Sequence, residues 1–216
     1  IKGQIMADAD LHVHSKYSDH PAEWFLQRIG ASESYTEPEE LYAAAKKNGM
    51  RFVTITDHNS IEGARALARN HPDDCFVSVE ATTYFPEDDC KIHLLVYGID
   101  EDEFQHIQRL RSNIYHLRDF IKERKLTHSV AHATYAINGK LTVEHFEKLI
   151  LLFDVFEVLN GSRSRSNNYP LEYVLRSLTP QLIDAIFTKH RIDPFSDTPW
   201  IKGFTGGSDD HSGLFI

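Results

Sequence analysis

A short apolar run rich in β-forming residues, followed by a cluster of histidines and carboxylates, recurs along this chain. Such runs occupy residues 4–13, 51–58, 76–85, 91–98, 128–135, 155–161 and 201–211. Their valine, isoleucine, threonine and aromatic content, with the turn residues that bound them, predicts seven β-strands. The polar clusters constrain the fold most, because the carboxyl ends of parallel strands meet at one edge of a sheet.

Helical patterns separate most of these runs. They cover residues 36–49, 60–70, 101–125, 141–153 and 169–190. Thr36 and Thr142 are predicted N-caps, and apolar residues at three- and four-residue steps predict one continuous helix over 101–125. The last pattern predicts one or two helices interrupted at Pro180, because a proline inside a helix removes a backbone hydrogen bond.

The alternation of strands and helices predicts the α/β class. Near-continuous apolar strands favour parallel pairing with the helices outside, and seven units in 216 residues fit a single domain with a parallel β/α barrel. A doubly wound open sheet is the alternative. Both architectures gather their ligands beyond the carboxyl ends of the strands, where the polar clusters are predicted to lie.

The polar clusters contain imidazoles and carboxylates, which are the ligands of zinc, iron and manganese. The candidates are His12, His14, Asp57, His58, Glu80, His93, His132, Glu157, Asn160, Asp209 and His211. His12 and His14 are two residues apart, as are Asp209 and His211, so each pair points to one side of an extended chain. A lone histidine is more often a core or surface residue, but ligand types at successive strand ends predict a shared metal site.

The remaining histidines fall outside these strand ends. Those in helical or loop stretches are predicted to be solvated: His71, His106, His116, His145 and His190. His128 opens the fifth predicted strand and is interpreted as structural. The two groups of histidines are therefore expected to differ in burial and in function.

Composition narrows the classes of function. A net charge of −9 and a pI near 5.8 argue against nonspecific nucleic-acid binding, which requires a basic surface. No apolar run reaches the roughly 18 residues of a membrane span. Cys75 and Cys90 are the only cysteines and form no CxxC pair, which favours a reducing, cytoplasmic location and argues against a thiolate zinc site.

In order along the chain, the motifs resemble those of the PHP family, the polymerase and histidinol phosphatase superfamily. They are "DLHVHSKYSD", "TITDHNS", the glutamate of "SVEATTY", the histidine of "KIHLLVYG", "VAHATY" and "GGSDDHSG". The resemblance implies a distorted seven-stranded β/α barrel with two or three divalent ions (Zn, Mn or Fe). "SDHPAEWFLQRIGASESYTEPEELY" and "TTYFPEDDCKIHLLVYGI" look like PHP domains joined to glycosyltransferase-type domains, which implies such a domain as a linked partner.

Carried over by position, the family pattern assigns the ligands to individual metals. It places His12, His14, Glu80 and Asp209 around a first metal. Glu80 would bridge to a second metal, held with His93 and His132. Asp209 is expected to be the ligand rather than Asp210, because the family pattern is DxH.

A third metal would be held by His58 and His211. The resemblance adds one more ligand from the corner at residues 19–20, where family members supply either an aspartate or a histidine. This chain offers Asp19 and His20 side by side. We favour Asp19, and the choice stays open from the sequence.

These assignments predict a metal-dependent phosphoesterase. Three divalent ions would outweigh the three carboxylates of Asp19, Glu80 and Asp209, and a positive site attracts a phosphate ester. We expect hydrolysis of a small-molecule phosphate monoester or diester by a hydroxide that bridges the metals. Arg163 is predicted to clamp the phosphate, with Arg165 and Lys91 as weaker candidates, and Asp57 to orient a ligating imidazole.

Two other functions fit the same residues. Barrels with an HxH motif and a late aspartate also hydrolyse amides and other C–N bonds on similar metals. A noncatalytic accessory domain of a larger enzyme is the third possibility, although the complete ligand set argues against a decayed site. The sequence stops at "GLFI", without a helix to cover the last predicted strand, and we expect either a piece of a longer protein or a last helix supplied from elsewhere.

Overall fold

The computed structural model describes residues 9–18, 34–163 and 165–213. Within them, five strands form one mixed sheet in chain order: β1 (Ser78–Phe85), β2 (Cys90–Tyr97), β3 (Thr127–Val130), β4 (Val155–Asn160) and β5 (Gly203–Gly207). The α/β class is confirmed. The all-parallel sheet is wrong, since β1–β2 and β2–β3 pair antiparallel and only β3–β4 and β4–β5 pair parallel. Residues 86–89 alone connect β1 to β2, and a parallel crossover needs about a dozen residues.

Helices flank the sheet. Their bounds are α1 (Pro38–Lys47), α2 (Glu62–Asn70), α3 (Glu101–Leu110), α4 (Ile114–Arg124), α5 (Val143–Leu152), α6 (Arg165–Arg176) and α7 (Pro180–His190). The continuous helix over 101–125 is wrong, because the Asn113 side chain accepts from the backbone amides of Tyr115 and His116 and starts α4 afresh. In the described part of the chain, no helix has both the length and the apolar character needed to cross a bilayer.

Helix caps agree with the sequence in part. Thr142 caps α5 as predicted, with its hydroxyl accepting from the amide of His145. The Thr36 cap is wrong by one residue, because Glu37 precedes α1 and exchanges hydrogen bonds with Glu40. The predicted interruption at Pro180 is confirmed, because α6 ends at Arg176 and Pro180 starts α7, a position that suits a residue without a backbone donor.

The segments predicted as the first two strands form isolated bridges instead. Val13 bridges to Asp210, and Val53 bridges to Cys75. Side chains take backbone donors that a strand partner would otherwise use, since Val13 N–H donates to the Thr56 hydroxyl and Ser15 N–H to Asp57. These segments lie between β5 and β1, so their polar side chains face those of the sheet.

The two faces of the β1–β2 hairpin differ in chemistry. Side chains alternate between faces along a strand. One face carries buried apolar residues that pack in the main core with the helices: Val79, Ala81, Phe85, Ile92, Leu94 and Val96. The other, inner face carries Glu80, Thr82 and His93, and Thr82 lies directly opposite His93. The fold therefore places the polar residues of these strands on the side of the irregular segments.

Candidate metal centre

Eight of the predicted ligands converge on the inner face of the sheet. They are His12, His14, His58, Glu80, His93, His132, Asp209 and His211. Among the described residues, their ligand atoms form overlapping triads within 4.8 Å, such as His12–His14–Glu80 and His12–His132–Asp209. His12, His14 and Glu80 are fully buried, which indicates a preformed cluster rather than a surface array.

Glu80 is the centre of the cluster. Its two oxygens lie 2.8–3.3 Å from a ring nitrogen of each of five histidines: His12, His14, His58, His93 and His132. Asp209 adds a second carboxylate, whose Oδ1 is 3.4 Å from His12 Nε2 and 3.5 Å from His14 Nε2. Five imidazoles around one buried carboxylate give it the position expected of a bridging ligand.

The geometry of these atoms fits a divalent ion. Two ligands at metal–ligand distances of about 2.1 Å and a tetrahedral angle lie roughly 3.4 Å apart, close to the spacing of His12 Nε2 and Asp209 Oδ1. His12 Nε2, His14 Nε2 and both oxygens of Glu80 are buried and have no hydrogen bond of acceptable geometry within the described residues. Buried polar atoms need a partner, and a cation among them would supply one.

The charge of the cluster favours cations. Burial alone would lower the pKa of His12, but Glu157, Glu80 and Asp209 outweigh it and raise the pKa well above its usual value. His14 behaves in the same way: burial alone would lower its pKa, but Asp209 and Glu80 raise that pKa to about 9. Protons and divalent ions compete for such nitrogens. Burial lowers the pKa of His93 to about 4, so its imidazole is neutral at pH 7 and in the ligating form.

Glu157 orients two of the histidines. His12 Nδ1 donates to Glu157 Oε1 at 2.8 Å, which leaves Nε2 facing Glu80 and Asp209. The other oxygen of Glu157 accepts from the His132 amide at 2.9 Å and from Asn160 Nδ2 at 2.8 Å. A carboxylate on the far nitrogen of a histidine fixes its tautomer and raises its basicity as a ligand.

Asp57 has a different role from the one predicted. Its Oδ1 accepts from the Ser15 amide at 2.6 Å, and its Oδ2 accepts from the Ser15 hydroxyl at 2.7 Å. These partners take the place of the predicted imidazole. A Cβ on Gly63 would lie 2.5 Å from this pair, so only glycine lets α2 approach it. Asp57 therefore fixes the backbone next to His14.

Arg163 lies beside the cluster. One of its terminal nitrogens is 3.5 Å from Asp209 Oδ2, and its guanidinium stacks 3.8 Å from the centre of the Tyr135 ring. The stacking leaves the edge of the guanidinium available to an oxyanion. Arg165 begins α6, and its side chain lies outside the described part of the structure.

Three residues near the cluster have left-handed backbone. Asn59, His132 and Asp209 have φ values of 52°, 30° and 51°. This region is uncommon for residues other than glycine, and such positions gather at functional sites. His132 and Asp209 each lie two residues after a strand ends, and Asn59 follows the bridge at His58. Nothing in the sequence pattern marks these positions.

The corner at residues 19–20 remains a prediction. Asp19 and His20 both lie outside the described residues. Nearby, the Ser18 hydroxyl is 3.3 Å from His14 Nδ1 and accepts from the His58 amide at 3.1 Å. The structure thus adds Ser18 as a residue that links two ligands, and its sequence position alone gave no signal.

The end of the chain adds the final ligands. Asp209 faces the cluster, whereas Asp210 accepts from the amide and hydroxyl of Ser212. A Cβ on Gly207 would lie 2.3 Å from His12 Cβ, so this glycine is what allows β5 to approach the cluster. Asp10, which the sequence did not single out, accepts from the amides of His12 and Ser208 and joins these two segments.

The other histidines divide less simply than predicted. His116 is exposed, and His128 is buried with its Nδ1 on the carbonyl of Leu126, in agreement with a structural role. The solvated interpretation is wrong for His145, which is 6% exposed, accepts from the Thr142 amide and approaches Asp88 at 3.2 Å. It is also wrong for His190, which pairs with Glu147. His145 completes the capping box of α5 and His190 joins α7 to α5, and periodicity alone predicts neither contact.

Comparison with known proteins supports the fold more than the activity. The chain matches no protein-family model. It is 46% identical to an uncharacterized protein of Methanocaldococcus jannaschii over 55 residues, which is 26% of this chain. That match spans 30% of the relative's length.

Three solved structures share the fold over nearly the whole chain. A proposed metal-dependent phosphoesterase from Bifidobacterium adolescentis is 15% identical with a TM-score of 0.53, covering 94% of this chain and 87% of its own. An amidohydrolase from Chromobacterium violaceum, with bound sulfate and no metal, is 16% identical with a TM-score of 0.56 and coverages of 95% and 88%. A two-domain protein from Bacteroides vulgatus, which contains a predicted PHP-like metal-dependent phosphoesterase, is 12% identical with a TM-score of 0.56 and coverages of 95% and 52%.

Proposed function

We propose that this chain is a metal-dependent phosphoesterase that hydrolyses a small-molecule phosphate monoester or diester. One observation carries the proposal: five imidazoles surround the buried carboxylate of Glu80, with Asp209 beside them and a guanidinium at the edge. A cluster of this composition suits two or three divalent ions of zinc, manganese or iron. Their number and identity belong to the proposal.

We further infer a PHP-type architecture. The five strands supply most of the predicted segments in order, and residues 11–14 and 53–58 occupy the gap between β5 and β1 through single bridges and hydrogen bonds. The likeness to a PHP-like domain and to a second proposed phosphoesterase supports this interpretation. A linked glycosyltransferase-type domain and a cytoplasmic location remain predictions from the sequence.

Different residues of this chain have different roles in the proposed hydrolysis. Divalent ions bound at the cluster would polarise a phosphoryl oxygen and lower the pKa of water. Glu157 holds His12 in the tautomer that presents Nε2, and Asp57 fixes the backbone next to His14. Arg163, stacked on Tyr135, would bind a phosphoryl oxygen and stabilise charge that develops during the reaction.

Hydrolysis of a C–N bond is the second candidate. The amidohydrolase from Chromobacterium violaceum shares the fold with a TM-score of 0.56, and fold likeness does not choose between the two reactions. Arg163 favours the phosphoester, because a cation 3.5 Å from Asp209 suits an anionic substrate. A neutral amide would gain little from it.

A substrate panel tests the proposal. The purified chain, loaded in turn with Mn²⁺, Zn²⁺ and Fe²⁺, would be assayed for phosphate release from monoesters and diesters and for ammonia or amine release from amides. We expect phosphate release that Asp209→Asn reduces at least 100-fold, while the exposed control Asp184→Asn retains it. Amine release from amides, or phosphate release that Asp209→Asn does not affect, would contradict the proposal.

A further inference from the structure

The inner face of the β1–β2 hairpin continues beyond the candidate ligands. The register pairs Thr82 with His93 and then Tyr84 with Lys91. Side chains two residues apart on a strand share a face and lie about 7 Å apart. Tyr84 and Lys91 therefore lie one step closer to the hairpin turn than His93 does.

Along the inner face, the exposure of the side chains increases from Glu80 toward the hairpin turn. Along the inner face of β1, Glu80 is 0% exposed, Thr82 is 7% exposed and Tyr84 is partly exposed. Lys91 is also partly exposed. The Tyr84–Lys91 pair therefore lies at the more exposed, hairpin end of the inner face, where a molecule that enters the cluster from that end would pass it.

Lys91 forms no ion pair with the described residues, since no carboxylate among them lies within ion-pair distance of its ammonium group. Two acidic residues of the adjacent turn have other partners, since Glu87 pairs with Lys148 and Asp88 approaches His145. A cation without an ion-pair partner near a site attracts anions.

The rim of the hairpin is held in place. Lys91 N–H donates to Asn138 Oδ1 at 3.3 Å, and Asn138 Nδ2 donates to the carbonyl of Asp89 at 2.8 Å. The ammonium of Lys91 lies 6.0 Å from the centre of the Tyr84 ring, at the outer limit of a cation–π contact. The ammonium therefore rests above a flat ring with its donors still available.

We propose that Lys91 and Tyr84 form a subsite for a second anionic group of the substrate, carried on the part of the molecule that is not the reacting phosphate. Arg163 lies at Asp209 itself and suits the reacting group, whereas Lys91 lies one strand step out from His93. The inference rests on the proposed function and narrows it to phosphoesters that carry an additional carboxylate or phosphate. The second group would lie about 7 Å, one strand step, from the metal ligands.

Matched substrates test the subsite. 3-Phosphoglycerate carries a carboxylate that glycerol 3-phosphate lacks, and fructose 1,6-bisphosphate carries a phosphate that fructose 6-phosphate lacks. Steady-state kinetics would compare the metal-loaded wild type with Lys91→Met, which removes the charge and keeps a long side chain. Lys47→Met, at the exposed end of α1, is the control for loss of one positive charge.

The expected result is a change in selectivity. In one of the pairs, wild type should prefer the substrate with two anionic groups. Lys91→Met should lower that preference about tenfold or more while changing kcat/KM for the partner with one anionic group less than about twofold. The preferred pair identifies the second group as a carboxylate or a phosphate. Absence of any preference in wild type, or an equal effect of Lys91→Met on both members of a pair, would overturn the subsite.

A binding measurement separates the subsite from the reaction. Titration calorimetry of 3-phosphoglycerate and fructose 1,6-bisphosphate into the metal-loaded proteins reports affinity without turnover. Weaker binding to Lys91→Met in a protein that releases no phosphate would uphold the subsite and reject the phosphoesterase. Phosphate release with no effect of Lys91→Met on either affinity or selectivity would uphold the phosphoesterase and reject the subsite.

Discussion

The two faces of the β1–β2 hairpin belong to the same strands but differ in chemistry. One packs in the apolar core, and the other carries candidate metal ligands. The outer face buries Leu94 and Phe85 in the main core, and the inner face places Glu80 and His93 in the candidate metal centre. Apolar burial stabilises the first without regard to direction. Burial of a carboxylate and imidazoles is costly unless each is paired, so the inner face gains its stability from charge balance and, in our proposal, from metal ions.

The largest expected effect comes from Glu80, which contacts five imidazoles. Glu80→Gln should abolish high-affinity metal binding, with a loss of at least 100-fold, because it removes the central charge of the cluster. Equilibrium dialysis with elemental analysis would measure it. Glu123→Gln, exposed on α4, should leave binding unchanged, and a Glu80→Gln protein that retains a full complement of metal would refute the assignment.

Next in size is a core change on the opposite face of the hairpin. Leu94→Ala should lower the free energy of unfolding by about 2–5 kcal/mol, through lost apolar transfer and a residual cavity. Urea denaturation would measure the loss. At a temperature where the variant remains folded, its metal stoichiometry should equal that of wild type, and a reduced stoichiometry would show that the two faces are not separable.

Removal of the Glu157 charge, which contacts His12 on its Nδ1 side, should have a smaller effect on metal affinity than Glu80→Gln. Glu157→Gln keeps the size of the side chain but weakens its hold on His12, and metal affinity should fall about 10- to 100-fold. Competition with a chelator of known affinity measures this fall. Wild-type affinity in Glu157→Gln would mean that the 2.8 Å contact to His12 Nδ1 does not tune the ligand.

The smallest predicted effect is a pH dependence that differs between metal-free and metal-loaded protein. The pKa of His14 is raised to about 9 in the metal-free fold, so its stabilising contribution is complete below its unfolded value near 6.5 and is lost as pH rises through 9. Metal binding displaces protons, so metal affinity should rise over the same range.

Thermal unfolding at pH 6.5 and pH 9 tests the predicted direction of both pH effects, on the stability of the metal-free protein and on stabilisation by metal. Chelator-treated protein should be less stable at pH 9 than at pH 6.5, and saturating metal should stabilise more at pH 9. The same trend in His14→Asn, whose side chain does not titrate, would show that other groups cause it.

The sequence predicts which residues lie at the candidate metal centre better than it predicts how the strands pair. The β-forming residues of "SVEATTYF" and "KIHLLVYG" predict strands that carry Glu80 and His93. The HxH spacing selects His12 and His14, and the DxH pattern of the resembled family selects Asp209. Periodicity does not reveal strand direction, so the antiparallel hairpin was missed. It also does not reveal that Thr56 and Asp57 take backbone donors from residues 13–15, which leaves bridges where strands were expected.

The burial of His145 shows a second limit. Its imidazole occupies the position that a glutamate takes in the usual capping box, because Nδ1 accepts from the Thr142 amide. A histidine on an amphipathic helix is ordinarily exposed, and nothing in its spacing distinguishes this one. Local hydrogen bonding, rather than periodicity, decides its environment.

Anomalous diffraction from crystals soaked in Mn²⁺ tests the central claim most directly. We expect anomalous peaks within coordination distance of Glu80, with His12, His14 and Asp209 around one of them. Crystals whose anomalous peaks all lie away from Glu80, or that show no peak at saturating Mn²⁺ with these side chains in their present positions, would contradict the metal centre.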